Sequence, residues 1–396
     1  MKRSKRQLLP ELFMETTYAS KAHQVVLAVI LCAGFILNTY AADNYMALNL
    51  NPLPPPEGGA LGGRFEVTGI NASGQVIGLA QSDPRYDFTQ YSTITGPNGI
   101  GQICSFCGTG NSGFLGPFIN AINDSGRVVG RLNYQAFISD PDGMGLTNLG
   151  SLAKEPMGLV LSSANAVNAS GQVVGRSSLG DNSYHAFITG PNGGNMTDLG
   201  TLGGINSEAT GINAGGQVVG WSNTADGKQH AFITNSNGSG MSDLGTLGGA
   251  ESFAAAINAH GQVVGWSDTT DGKRHAFITG PDGTGMTDLG TFLGGVASFA
   301  TAINANGQVV GVSDGRAFVT GFDGIGMSDL NAGVSLPNPT AILSEARGIN
   351  DRGQIIANAF LLTPIPEPET YSLMLAGLGL LGFITRRKKR VAEYIN

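Results

Sequence analysis

Charged residues and long apolar runs are both scarce in this 396-residue chain, of which 13% is charged. Residues 43–365 carry 12 Lys or Arg against 24 Asp or Glu, a net charge of −12. A surface of that sign repels nucleic acid and anionic lipid, because binding a polyanion depends on Lys and Arg that release its counterions. The two apolar runs near the ends have 13 and 15 residues, fewer than the roughly 20 of a membrane-spanning helix. The sequence therefore argues against nucleic acid as a partner and makes either run a poor membrane anchor.

The chain also lacks the motifs that mark common catalytic and nucleotide-binding sites. Its one G-x-S-x-G match, Gly311 to Gly315, ends in the hairpin signal Asp314-Gly315 and not in a strand-to-helix turn, so it is not a nucleophile elbow. No Gly-rich phosphate loop precedes a helix. The stretch from Asp268 to Gly272 resembles the start of a calcium loop but lacks the later Glu and the length of an EF-hand, so we interpret it as a turn. We predict no catalytic residue, no metal site and no cofactor.

Cysteine is nearly absent, and only Cys104 and Cys107 lie outside the N-terminal apolar run. A C-x-x-C pair can be redox-active, half of a metal site or a small disulfide. No second C-x-x-C is present to complete a metal site, and no βαβ pattern surrounds the pair. In an oxidising compartment we therefore expect a local disulfide between Cys104 and Cys107.

Glycine, in contrast, is abundant, with 61 residues that fall at regular turn positions in a unit repeated seven times. The core of this unit reads I-N-x-x-G-Q-V-V-G. Its Asn is followed three residues later by Gly in every copy, which predicts a tight hairpin, because Asn bonds its own backbone and Gly takes a positive φ. The seven asparagines recur at intervals of 45 to 52 residues: Asn71, Asn123, Asn168, Asn213, Asn258, Asn304 and Asn350.

Each unit contains four short stretches that predict antiparallel strands: the run ending at Ile-Asn, then Gln-Val-Val-Gly, then Ala-Phe-Ile, then Met-Thr-Asp-Leu. Asp-Gly pairs such as Asp226-Gly227 join the second stretch to the third, which is a strong hairpin signal. Four strands in about 45 residues is the size of a β-propeller blade. We predict an all-β domain over residues 43–363, a seven-bladed propeller of four-stranded antiparallel blades.

The two ends of the repeat region predict how the ring closes. The last repeat ends at Leu362 with only three strands, whereas the stretch from Tyr45 to Asn49 precedes the first repeat and fits the missing fourth strand. An N-terminal strand that completes the last blade removes an unpaired sheet edge. The alternative fold is an open β-solenoid, which does not need such a split repeat.

Two features are candidates for ligand binding. Trp221 and Trp266, the only tryptophans, share one position in adjacent repeats, directly after Val-Val-Gly. Exposed indoles at this position stack on sugar rings, whereas buried ones pack between blades. The first repeat also has two insertions, at residues 83–91 and 101–118, and loops on a rigid scaffold commonly carry binding residues.

Polar residues that recur at one position in several repeats are poor candidates for catalysis. Equivalent points on neighbouring blades lie too far apart to share one zinc ion, so we interpret the repeated histidines as polar residues at strand starts. Catalysis needs unlike groups with separated pKa values, whereas the repeated aspartates are copies of one group. These residues are His185, His230 and His275, and Asp198, Asp243, Asp288 and Asp329.

The N-terminal region has the features of a secretory signal. Basic residues precede the 13-residue apolar run from Val25 to Leu37, and Thr39 and Ala41 place small residues at a cleavage site after Ala41. We predict a signal peptide over residues 1–41 that signal peptidase removes, with an uncleaved signal anchor as the alternative. Translation from Met14 instead of Met1 would give a signal of ordinary length.

The C-terminal region reads PIPEPETYSLMLAGLGLLGFITRRKKR over residues 364–390. Pro366, Glu367 and Pro368 form a stiff, non-helical stop. A 15-residue apolar stretch and five consecutive basic residues follow, and the positive-inside rule leaves the preceding chain outside the membrane. This order closely resembles the PEP-CTERM sorting signal. The resemblance implies a Gram-negative, exopolysaccharide-producing host, transient insertion of the tail into the membrane, and an exosortase that cuts near the motif.

The repeats themselves resemble the extracellular HAF-repeat family, through His-Ala-Phe at residues 185–187, 230–232 and 275–277. This resemblance implies an exported repeat protein and no known chemistry. We expect a surface-attached or extracellular-matrix protein that acts as a non-enzymatic binding or structural module, with exopolysaccharide as the candidate ligand. A glycan-acting enzyme built on the same propeller and a pure structural spacer are the alternatives.

Overall fold

Seven four-stranded antiparallel sheets make up the domain in the computed structural model, which describes residues 45–50, 65–81, 90–103, 117–141, 143, 145–153, 161–338 and 340–365. Residues Tyr45–Pro364 form one compact unit. Within the described residues no helix is long and apolar enough to cross a membrane. The predicted seven-bladed propeller is confirmed, and the open solenoid is not the fold.

Blades one to six are meanders in which the strands pair in chain order. The strands of blades one to three are β2 (Phe65–Ile70), β3 (Val76–Gln81), β4 (Gln90–Thr95), β5 (Gln102–Ile103), β6 (Phe118–Ile122), β7 (Val128–Leu132), β8 (Gln135–Ser139), β9 (Leu146–Gly150), β10 (Ser162–Val167), β11 (Val173–Ser178), β12 (Tyr184–Thr189) and β13 (Met196–Asp198). Those of blades four to seven are β14 (Gly203–Ile212), β15 (Val218–Thr224), β16 (Gln229–Thr234), β17 (Met241–Asp243), β18 (Gly248–Ile257), β19 (Val263–Thr269), β20 (Arg274–Thr279), β21 (Met286–Gly290), β22 (Ser298–Ile303), β23 (Val309–Ser313), β24 (Arg316–Thr320), β25 (Met327–Asp329), β26 (Ala346–Ile349), β27 (Ile355–Ala357) and β28 (Phe360–Pro364).

The predicted closing strand is confirmed at the seam of the ring. Strand β1 (Tyr45–Asn49) pairs antiparallel with β28, in a register that places Tyr45 opposite Pro364 and Asn49 opposite Phe360. Blade seven therefore has the order β26-β27-β28-β1 and takes its outermost strand from the N-terminal end of the domain. Burial of Tyr45 raises the pKa of its phenol above the usual value. The strand thus contributes buried side-chain surface as well as backbone pairing.

The first strand of each blade lies innermost. Each first strand contacts the first strands of both neighbouring blades, and the contact between β26 and β2 completes the circle. The Val-Val pair of the second strand is buried on both sides, because each blade packs against a neighbour on each face. In blade four, for example, Val218 packs with Phe232 and side chains of blade three, whereas Val219 packs with blade five. This explains why these strands are continuously apolar and not alternating.

The glycine after Val-Val allows the close approach of the innermost strand. A Cβ atom on Gly220 would lie 2.0 Å from the carbonyl oxygen of Glu208 on the paired strand. The pairing shifts register at this point, where Ala209 faces Gly220 and Gly211 faces Val219. Only glycine accommodates this bulge without displacing the backbone.

The repeat asparagines form a closed ring of hydrogen bonds. Each Asn Nδ2 donates to the backbone carbonyl of the equivalent Asn in the next blade, at 2.9–3.3 Å, and Asn350 donates to the carbonyl of Asn71 at 3.1 Å. All seven are buried, at 3–6% exposed. The sequence correctly predicted their role in the hairpin, since Oδ1 of Asn168 accepts from the backbone N–H of Gln172 at 3.0 Å. The bond from blade to blade was not predicted.

Candidate ligand-binding face

The two ends of the ring differ in what they expose. The turns between first and second strands, and between third and fourth strands, lie together at one end, where Gly193 N–H donates to the carbonyl of Gly171 at 2.9 Å. We call this end the asparagine face. The opposite end, where the innermost strands begin, we call the mouth face.

Side chains at two paired positions of the mouth face vary from blade to blade. One position lies five residues before the repeat Asn, and the other lies eight residues after it. The cross-strand pairs in blades one to six are Glu66 with Leu79, Phe118 with Arg131, Ser163 with Arg176, Glu208 with Trp221, Phe253 with Trp266 and Phe299 with Val312. The scaffold is thus repeated while these side chains differ, which is the pattern of a site and not of a core.

Trp221 lies half-buried in a cluster that spans blades three and four. Its indole meets the ring of Tyr184 edge-on, with centroids 6.1 Å apart and planes at 80°. The guanidinium of Arg176 lies 5.1 Å from the Tyr184 centroid and pairs with Glu208 at 3.2 Å. Asn165 Nδ2 donates to the same Glu208 carboxylate at 2.8 Å. Two aromatic rings, one cation and one carboxylate therefore converge at this point.

The pKa of Tyr184 is raised above its usual value, chiefly by burial. The nearby Glu208 carboxylate raises this pKa further, whereas Arg176 lowers it. The phenol therefore stays protonated at neutral pH and presents a neutral hydroxyl, which both donates and accepts hydrogen bonds.

Trp266 occupies the equivalent position in blade five but makes more ring contacts. Its indole is stacked with Phe253 at 5.9 Å and 3° and meets Phe299 of blade six edge-on at 6.4 Å. The Arg274 guanidinium lies 3.6 Å from the indole centroid, held by Asp268 at 3.0 Å. One face of the Trp266 ring is therefore covered. In blade four the position of Arg274 is occupied by Gln229.

Charged side chains occupy the part of the mouth face nearest the seam. Arg347 of blade seven pairs with Glu66 of blade one at 2.9 Å and with Glu345, which directly precedes strand β26, at 3.2 Å. Apolar side chains with 43–71% exposure surround the rest of this face: Tyr134, Leu161, Ile205, Val296 and Ile342. Exposed apolar groups around a polar and aromatic centre are typical of an interaction surface.

The repeated His and Asp residues pair with each other, which the sequence interpretation missed. Nδ1 of His185, His230 and His275 lies 2.7–2.9 Å from a carboxylate oxygen of the Asp 13 residues later, on the neighbouring strand. Arg316 and Asp329 make the same contact at 2.7 Å, and Gln135 pairs with Asn148 in blade two. The constant spacing of 13 residues is the feature of the sequence that indicates this pairing. Where the Asp is replaced by the neutral Asn148, the His is also replaced by a neutral residue, Gln135. No group of three or more His, Cys, Asp or Glu in the described part of the chain could hold a metal ion.

Several predicted site residues lie outside the described residues. These are the cysteine pair, most of the two insertions of blade one, the signal peptide and the sorting motif: Cys104, Cys107, residues 82–89 and 104–116, residues 1–41, and Pro366, Glu367 and Pro368. The disulfide and the cleavage near Ala41 therefore stay predictions.

The fold and one sequence motif connect the chain to known proteins. The fold is that of a β-propeller, and residues 364–389 match the model of the PEP-CTERM protein-sorting motif. This motif marks the chain as exported to the cell envelope or surface and as a target of an exosortase. No curated protein matches the sequence.

Solved structures resemble the chain only distantly. TolB from Acinetobacter baumannii is 13% identical, with a TM-score of 0.40 over 76% of this chain and 79% of that one. XC5397 from Xanthomonas campestris, described as a gluconolactonase, is 12% identical, with a TM-score of 0.40 over 83% and 93%. A puromycin-hydrolyzing peptidase from Mycobacterium tuberculosis is 12% identical, with a TM-score of 0.49 over 74% and 48%.

Proposed function

We propose that the protein is a non-enzymatic component of the cell surface or extracellular matrix that binds polysaccharide through its mouth face. The observation that carries this proposal is the convergence of Tyr184, Trp221, Arg176 and Glu208 between blades three and four. Sugar-binding surfaces need a flat apolar group for the ring of the sugar and donors and acceptors for its hydroxyls. This cluster supplies both.

Processing and attachment complete the proposal. Signal peptidase removes residues 1–41, and the tail from residue 364 inserts transiently in the membrane until an exosortase cuts near Pro366. The Cys104–Cys107 pair is oxidised after export. The PEP-CTERM motif supports this sequence of events, as does the HAF-repeat resemblance, which implies an exported protein. Exopolysaccharide of the host is the ligand that this location offers.

The charge of the domain indicates which polysaccharides fit. Residues 43–365 carry a net charge of −12, whereas on the mouth face Glu208 pairs with Arg176, and Glu66 and Glu345 pair with Arg347. The net charge of the whole domain, and not these paired carboxylates, repels polyanions, so uronic-acid polymers are disfavoured. Neutral glycans and glycans that carry free amino groups fit this surface.

A glycan array with the purified 43–365 segment, followed by titration calorimetry on the best ligand, tests the proposal. We expect Trp221→Ala to weaken binding about fivefold to thirtyfold, since a stacked aromatic ring contributes on the order of 1–2 kcal/mol. The matched control is Trp266→Phe, which changes an indole already covered by Arg274 and should leave affinity within about twofold. Both variants should remain folded, which circular dichroism of each segment checks.

Two results would contradict the proposal in different ways. Binding that survives Trp221→Ala but is lost in Trp266→Phe would move the site to blade five. A segment that binds no glycan on the array, while folded, would leave the spacer role in its place.

A further inference from the structure

Three strongly exposed apolar side chains lie on the asparagine face, in the two blades on either side of blade seven. Ile100 of blade one is 70% exposed, and Phe322 and Ile325 of blade six are 65% and 75% exposed. All three belong to the turn between the third and fourth strands. At the position of Ile100 and Ile325, blades three to five instead carry Gly194, Ser239 and Thr284. Among the described residues, exposed apolar side chains at this position are therefore confined to blades one and six, and the equivalent Met144 of blade two lies outside the described residues.

Blade seven, between them, is where both ends of the domain leave the ring. Tyr45 at the start of β1 pairs with Pro364 at the end of β28. Pro364 lies beside the first turn of its blade, since a Cβ on Gly353 would be 3.2 Å from its ring. Gln354 of that turn also donates to Asn98 of blade one, at 3.3 Å. The chain thus leaves on the asparagine face, next to the turns that carry Ile100 and Ile325.

The connection from this exit to the apolar stretch of the tail is short. Ile365 is the last described residue, and the apolar stretch begins at Tyr371, six residues later. Six extended residues span at most about 20 Å. A 320-residue unit has a radius of gyration of about 20 Å, so the domain cannot turn freely when the tail is in a bilayer.

We propose that the asparagine face lies against the lipid bilayer while the sorting tail is inserted, with Ile100, Phe322 and Ile325 in contact with the lipid. The mouth face, with Trp221, then points away from the membrane toward the matrix. This inference rests on the membrane insertion that is part of the proposed function. Tethering gives a high effective concentration, so three apolar side chains suffice to set orientation although they would not anchor the domain alone.

The charges of the asparagine face indicate which kind of lipid can lie against it. Five aspartates and one arginine are exposed there among the described residues: Asp124, Asp140, Asp282, Asp323 and Asp351, and Arg352. Anionic lipid repels such a face, so the occupant is a zwitterionic bilayer surface.

The two native tryptophans make the orientation measurable, because both lie on the mouth face. The full chain, tail included, is reconstituted into vesicles of phosphatidylcholine with brominated acyl chains, which quench nearby indoles. We expect little quenching of the wild type and a new, strongly quenched emission in Phe322→Trp. Ile205→Trp is the matched control, since Ile205 is 69% exposed on the mouth face, and its added emission should stay unquenched. Ile325→Trp provides a second position if Phe322→Trp unfolds.

Vesicle flotation separates failure of the inference from failure of tail insertion. A chain that floats with the vesicles and shows quenching of Ile205→Trp, but not of Phe322→Trp or Ile325→Trp, would overturn the orientation and leave the proposed insertion intact. Equal quenching at both faces would also overturn it. A chain that does not float would overturn the insertion and the inference together.

Discussion

Each repeat asparagine makes hydrogen bonds both within its own turn and to the next blade. Asn168 Oδ1 accepts from the backbone N–H groups of Ser170 and Gln172, and its Nδ2 donates to the carbonyl of Asn213 and to Gln172 Oε1. Its side chain is 4% exposed, so water cannot replace these bonds. The residue type follows from this, because a short amide alone supplies an acceptor and two donors at that distance.

We expect Asn168→Ala to lower the free energy of unfolding of the 43–365 segment by about 2–4 kcal/mol, because buried backbone groups of Gln172 and Asn213 lose their partners. Urea unfolding followed by circular dichroism measures the change. Asn195→Ala, at an exposed asparagine of the same blade, is the control and should cost less than about 0.5 kcal/mol. Equal effects of the two substitutions would mean that the ring of asparagine bonds adds nothing to stability.

The hairpin role of this asparagine was predictable, because Asn and Gly three residues apart have a local turn chemistry. Its bond to the next blade was not, since it depends on how blades pack. The different surroundings of the two tryptophans were not predictable either, although both occupy the same position in their repeats. The difference between Arg274 and Gln229 was visible in the sequence, but only the structure shows that this position covers the indole.

At the scale of the blade, the outermost strand is the shortest in blades one and three to six. Strand β17 has three residues, Met241–Asp243, and pairs only with β16. His230 of β16 contacts the Asp243 carboxylate at 2.7 Å, which fixes the end of this edge strand. Blade two makes the same connection with Gln135 and Asn148, without ionisable groups.

A double-mutant cycle in blade four tests whether the two positions act as a pair. We expect His230→Gln and Asp243→Asn each to destabilise the domain, and the double variant, which copies blade two, to recover about 0.5–1 kcal/mol relative to additivity. Urea unfolding gives the coupling free energy. Strict additivity would show that the two side chains are merely neighbours.

The elements themselves were well predicted, since the strand boundaries follow from local signals that recur in most of the blades. Turn glycines, Val-Val pairs and the Ala-Phe-Ile block each identify one strand. The side chains of the mouth face were not predicted as a cluster, because residues of the cluster such as Tyr184 and Trp221 come from different blades. Sequence spacing alone does not show which positions meet across a blade interface.

At the scale of the whole molecule, closure of the ring determines where both ends emerge. Because β1 pairs with β28, residues 45 and 364 lie side by side on the asparagine face. The mouth face, with its varied side chains, is at the opposite end. The pairing of β1 with β28 therefore places the attached end of the domain and the proposed ligand-binding face at opposite ends of the ring.

The closing pair was predictable because the repeat count leaves one strand missing at the end and one spare strand at the start. The face on which the two ends emerge was not predictable, because it depends on the direction of β28, which runs toward the repeat asparagines. Nothing in the sequence distinguishes Ile100, Phe322 and Ile325, and only the structure shows that they are exposed on the same face.

Thermal unfolding of the 43–365 segment, compared with a 51–365 segment that lacks β1, tests the closed ring most directly. Removing β1 leaves the outer edge of β28 unpaired and uncovers Leu362, which is fully buried. We expect the midpoint to fall by about 5 °C or more and the shorter segment to aggregate, because an exposed sheet edge pairs with other chains. An unchanged midpoint and a soluble, monomeric 51–365 segment would contradict the closed ring and the two-faced account built on it.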